Sequence, residues 1–249
     1  MKTKIKGRIA AMAAITAFMA AGVLFAWLYG IHDRAADVNP SPISGAIEAG
    51  EADDGFPAVD WEYWLSVNPD IVAWVTVPGT GVDYPVVQAS PDDPTFYLTH
   101  DVYRGWNPYG CPYLDAGCAD LGVVSPVALM FAHHMNDGSM FSAFASYSDI
   151  SFAQAHSEIL LQTPEEKMRL SVIAADVVDS NREGKRLEFA DDDEFDSWLE
   201  ELLVNADVVL EADAETDSVK AFCTCSYGQW NGHERTIVYA TEIFTGEAS

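Results

Sequence analysis

Apolar and polar positions change rhythm several times along this chain. Ile9 to Ile31 is an unbroken run of 23 residues without a charge. That is long enough to cross a bilayer core as a helix. From 32 to 55 no apolar period is visible. Pro40, Pro42, Gly45, Gly50 and Gly55 sit among Ala, Asp and Glu, which predicts a flexible stalk. Periodicity resumes at Phe56. Asp60 ahead of Trp61, Trp64 and Leu65 predicts a short capped helix, ended by Asn68-Pro69-Asp70. Ile71 to Val77 is β-branched and aromatic and predicts a strand. Pro78 to Gly81 has turn chemistry, and Val82 to Val87 predicts a second strand in which Pro85 marks an edge or a bulge.

Residues 88 to 122 read as loop with short extended pieces. Val127 to Ala132 predicts a buried strand. Met140, Phe141, Phe144 and Tyr147 recur at helical spacing and predict a helix over Ser139 to Tyr147. Ile159 to Gln162 and Met168 to Val178 read as strands around a Pro164-Glu165-Glu166 turn. Asp191 and Glu194 fit a capping box, and Phe195, Trp198, Leu199, Leu202 and Leu203 follow on one helical face. Val219 to Cys225 and Arg235 to Phe244 are the closing strands. Many short strands with few helices predict a mainly β barrel or sandwich. The organisation expected is an apolar segment with its basic tip (1–31), a stalk (32–55) and a folded domain (56–249).

Charge sharpens this picture. The 249-residue chain has 13 basic and 39 acidic residues, and four of the basic ones (Lys2, Lys4, Lys6, Arg8) precede the apolar run. Positive charge there predicts a single-pass anchor with its N-terminus in the cytoplasm and the rest outside the cell membrane. Phe25, Trp27 and Tyr29 at the end of the run suit an interface, whereas a cleaved signal peptide would have a shorter core. The remaining acidity repels phosphate backbones, so nucleic acid is not an expected partner.

The candidate chemistry lies in three places. Cys225 ends a strand and faces a glycine-containing loop, a fitting position for a nucleophile. Its neighbour Cys223 shares its face about 6.5 Å away, near the upper limit for an unstrained disulfide. Cys111 and Cys118 are close enough in sequence for a local bridge, and two free thiols fit equally well. No C-x-x-C pair is present, and the spacing of cysteines and histidines fits no common zinc pattern. His133 follows an apolar strand and precedes a turn, where an imidazole can act as general acid; His134, in extended chain, would face the other way. Arg235 opens the last strand, with Ser226 to Glu234 between it and Cys225. If those strands pair as neighbours, its guanidinium comes close to Cys225 and can stabilise charge on a carbonyl oxygen. Each of the three taken singly also fits an ordinary packing or surface residue.

Together these segments resemble the sortases, and within them class B. Phe222-Cys223-Thr224-Cys225-Ser226-Tyr227 with Arg235 is similar to the L-x-T-C-x-Y…R signature, with Phe222 in place of leucine. Phe131-Ala132-His133-His134-Met135, followed by Asp137-Gly138-Ser139-Met140-Phe141, resembles the segment around the family's catalytic histidine, with Ala132 where a glycine is usual. Asn68 to Trp74, Val82 to Gln88 and the helix at 192 to 204 also match. The resemblance implies a closed eight-stranded sortase-type β-barrel with N-terminal helices and a helix before the nucleophile strand. It implies a cysteine transpeptidase with Cys225 as nucleophile, His133 as proton donor and Arg235 as oxyanion cation. Its partners would be secreted proteins with a C-terminal sorting motif and an amine of a cell-wall precursor or a pilin lysine. No cofactor is needed for that chemistry. Two other readings stay open on the residues alone: a hydrolytic cysteine peptidase, and a non-enzymatic binding module stapled by disulfides.

Overall fold

A computed structural model describes residues 54–181, 184–227 and 233–243. The element order is α1 (Trp61–Val67), β1 (Ile71–Thr76), β2 (Asp83–Gln88), β3 (Tyr113–Leu114), β4 (Val127–Phe131), α2 (Ile150–Ala155), β5 (Glu158–Gln162), β6 (Lys167–Asp179), α3 (Asp192–Asn205), β7 (Val208–Val209), β8 (Val219–Ser226) and β9 (Glu234–Glu242), with short 3-10 helices between. The strands run in the order β5-β1-β2-β3-β4-β8-β9-β6-β7, and β5 also pairs with β6. That extra pairing closes eight strands into a barrel and leaves β7 appended to β6. The long β6 makes this possible. One of its edges meets β9 from Leu170↔Glu242 to Asp179↔Glu234; the other meets β5 and then β7.

Local chemistry explains the elements. Asp60 accepts a hydrogen bond from the Tyr63 amide and caps α1. Asp191 does the same for α3 through the Glu194 amide, with Asp192, Asp193 and Glu194 in the first turn, where the helix dipole favours negative charge. The β1–β2 register shifts between Ile71 and Ala73, and Pro85 faces Trp74 at a point where β3 does not reach. Pro85 therefore sits on a free edge of β2, as expected, and the bulge lies further along, opposite Val86 and Val87. The segment expected as a helix from Ser139 is instead a turn followed by a 3-10 helix over Ser142–Ser148. Met140 has a positive φ of 56°, and the Phe141 amide donates back to the His133 carbonyl, so an α-helix cannot start at Ser139.

Alternation along β8 divides the packing into two layers. Phe222 points into the barrel, where its ring stacks on Phe144 at 5.1 Å beside Phe141. Ala221 and Cys223 point outward, into a second apolar layer roofed by Phe195 and Leu199 of α3. Phe222 is fully buried. Truncation to alanine should therefore cost about 3–5 kcal/mol. Urea unfolding of Phe222→Ala checks this, and a loss below about 1 kcal/mol would mean that the site collapses around the gap.

The single-pass membrane expectation needs correction. Among the described residues no helix is long and apolar enough to cross a membrane. The longest, α3, has 14 residues and begins with three acidic ones; at 1.5 Å per residue it spans about 21 Å, short of a hydrocarbon core of about 30 Å. The run Ile9 to Ile31 and all of the stalk (32–55) up to residue 53 lie outside the described residues.

Candidate active site

β8 lies between β4, which runs parallel to it, and β9, which runs antiparallel. Cys225 and Arg235 are directly opposed across β8 and β9. Opposed residues of an antiparallel pair project to the same face, so thiol and guanidinium share the outer side of the barrel. On the other flank Phe131 stands beside Cys223. The chain keeps to β8 after β4 ends: the Ala132 amide donates to the Cys223 carbonyl at 3.3 Å, and Thr224 Oγ1 donates to the Ala132 carbonyl at 3.0 Å. Beyond Ala132 the next contact with β8 is made by His134, whose Nδ1 reaches the Cys225 carbonyl, and His133 lies between these two points. Three segments distant in sequence thus end at one place because two parallel strands and a hairpin partner terminate together.

Hydrogen bonds fix both histidines. His133 Nε2 lies 2.8 Å from the Leu98 carbonyl oxygen. A carbonyl only accepts, so Nε2 carries the proton in this bond. His134 Nδ1 lies 2.8 Å from the Cys225 carbonyl oxygen and donates to it, and its ring packs against Tyr227 with centroids 5.3 Å apart. His134 therefore engages β8 through the backbone of Cys225. Simple alternation of side chains did not foresee this, because the chain turns after Ala132. Arg235 is half-buried, and its Nη1 donates to the Glu234 carbonyl at 2.7 Å.

Burial separates the thiols. All four cysteines are free; Cys225 is half-buried and the others are buried. Cys111 and Cys118 belong to different core clusters, so no bridge joins them. Burial pushes the Cys223 thiol up to about 12, against a downward pull from Arg235. Burial likewise raises Cys111 and Cys118. The thiolate is the reactive form. A brief pulse of iodoacetamide near neutral pH should then modify Cys225 alone, with the other three labelled only after unfolding; peptide mapping reads the result. Equal labelling of Cys223 would contradict the burial. Tyr227 is raised by burial first and next by Cys225, to which its hydroxyl bonds. Tyr113, stacked on Phe131, is raised chiefly by burial and next by Asp115, with smaller effects of Cys223, Cys225 and Arg235.

A cavity of about 510 Å3 opens beside this point, between α3 and the outer sheet face. Leu129, Phe131, Trp198, Cys223 and Ile237 give it apolar walls, and Arg235 stands on its border. Among the described residues no cluster of His, Cys, Asp or Glu could hold a metal ion. The arrangement offers a partly accessible thiol, a fixed imidazole, a guanidinium and an adjoining apolar cleft, the components of covalent acyl transfer.

No protein-family model matches the chain. It is similar to sortase B of Staphylococcus aureus, with 26% identity over 181 residues, 71% of this chain and 72% of that protein. It is also similar to sortase B of Listeria monocytogenes, with 24% identity over 136 residues, 55% of this chain and 54% of that one. In fold it resembles a Staphylococcus aureus sortase B–substrate complex, with a TM-score of 0.63 and 23% identity over 74% of this chain and 85% of the other.

Proposed function

Taking as premise the class B sortase that sequence and fold support, a cysteine transpeptidase, we propose that Cys225, His133 and Arg235 carry the reaction. The substrate is a protein with a C-terminal sorting motif. The Cys225 thiolate attacks a carbonyl carbon in the motif, at a threonine by analogy with the family. Negative charge moves to the carbonyl oxygen, where the Arg235 guanidinium meets it. The imidazolium of His133 gives a proton to the departing amide nitrogen. The C–N bond breaks and a thioester remains on Cys225. An amine then attacks that thioester, loses a proton to the neutral imidazole, and sulfur leaves as thiolate. One difficult acyl transfer becomes two easier ones. The acceptor amine belongs to a cell-wall precursor in this reading.

The observation that supports it most is the opposition of Cys225 and Arg235 across β8 and β9. The test is the fate of the acyl group. Incubation with sorting-motif peptides and a soluble amine should give the amide of that amine, and hydroxylamine should give the hydroxamate. Release of free acid at the same rate with or without amine would point to a hydrolase instead.

A further inference from the structure

The loop from Phe96 to Cys111 packs against the end of β4 and delivers one backbone carbonyl to His133. Its hydrogen bonds show how that carbonyl is kept for the imidazole. The Tyr97 carbonyl accepts from the Cys111 amide at 2.9 Å, and the Thr99 carbonyl accepts from the Asn107 amide at 2.8 Å. Leu98 lies between them, and its carbonyl accepts from His133 Nε2 at 2.8 Å. The base of the loop is pinned by side chains: buried Asn68 Nδ2 donates to the Val102 carbonyl and bonds the Tyr97 hydroxyl, which in turn donates to Asp70.

Gly110 is the residue that permits this geometry. Its φ is +64°, in the region that side-chain-bearing residues avoid. It also sits hard against the two carbonyls at issue. A Cβ there would collide with the Tyr97 oxygen and would stand 2.9 Å from the Leu98 oxygen and 3.0 Å from the Leu98 carbonyl carbon. Any side chain at 110 must therefore displace the Tyr97 and Leu98 carbonyls, and with them the bond from Leu98 to His133. Gly122 separates this effect from simple backbone strain, because its φ is +63° and nothing lies within 4 Å of a Cβ built on it.

We propose that Gly110 is a positioning residue for the reaction: it lets the Leu98 carbonyl lock the imidazole of His133 with its proton on Nε2 and Nδ1 turned to the reaction. This rests on the assignment of His133 as proton donor. The carbonyl acts at a distance from the chemistry by choosing one tautomer and one ring orientation. Loss of the lock leaves an imidazole that divides its time between tautomers and rotamers.

The test compares Gly110→Ala with Gly122→Ala in the intact chain, using nitrogen-15 NMR of the histidine rings and steady-state transfer kinetics. In the unmutated protein, neutral His133 should show its proton on Nε2; a proton on Nδ1 would overturn the proposal without any variant. Gly110→Ala should lose that preference, and its kcat should fall roughly tenfold to a hundredfold with KM little changed, as for a small misplacement of a catalytic group. Gly122→Ala should keep both the tautomer and kcat. A folded Gly110→Ala protein with the original ring spectrum and original kcat would refute the role. A His133→Ala variant that retains full activity would instead defeat the catalytic assignment and leave the tautomer result standing.

Discussion

Cys225→Ala should abolish acyl transfer while the barrel stays folded. The substitution removes one half-buried sulfur from the end of β8. The backbone pairing of Cys225 with Arg235, and the bond from His134 to the Cys225 carbonyl, involve no thiol atom and persist. Stability should change by less than about 1 kcal/mol, as no cavity forms in the core. Activity has no such reserve. Without the sulfur no thioester can form, and a drop of at least about 10⁴-fold is expected, as when nucleophiles of comparable hydrolases are removed. Calorimetry and transfer kinetics on the same sample check both halves. An unfolded variant, or one with a tenth of the original rate, would contradict the role given to Cys225.

The second large effect is expected for His133→Ala. Removing a general acid costs typically 10²- to 10⁴-fold, because an amide nitrogen leaves poorly without a proton. The loss should depend on the leaving group. An activated ester, whose leaving group needs no proton, should recover much of the rate in the variant, whereas the peptide substrate should not. Equal losses on both substrates would indicate that His133 orders the site rather than donating a proton. His134→Ala provides the contrast: it removes a bond to the Cys225 carbonyl and the packing on Tyr227, so it disturbs both substrates alike.

The opposition of Cys225 and Arg235 was legible in the sequence, because two apolar strands joined by nine residues most simply pair with each other. The helix α3 was legible too, through its capping aspartate and a single apolar face that now covers the outer layer. Pro85 announced the free edge of β2 on the β3 side, since a residue without an amide proton cannot complete a ladder. Other features left no such trace. β3 and β7 have two residues each, too few for any period to show. The parallel pairing of β4 with β8 joins positions about ninety residues apart, and nothing local encodes it. The helical spacing at 140 to 147 was real but became a 3-10 helix, because Ser142 Oγ bonds both the amide and the carbonyl of Met135 and tightens the turn. The partner of His133 is a backbone carbonyl, a group that every residue carries, so no residue type could point to Leu98. Gly110 was visible only as one glycine in a loop; the contact that gives it meaning appears when the Tyr97 and Leu98 carbonyls are in place.

The measurement that bears most directly on the mechanism is the intact mass of the protein after brief mixing with a library of sorting-motif peptides. A new species heavier by one acyl fragment, mapped to Cys225 and discharged by added amine, is the predicted outcome. An adduct on Cys223, or peptide cleavage with no acylated protein on the pathway, would contradict it.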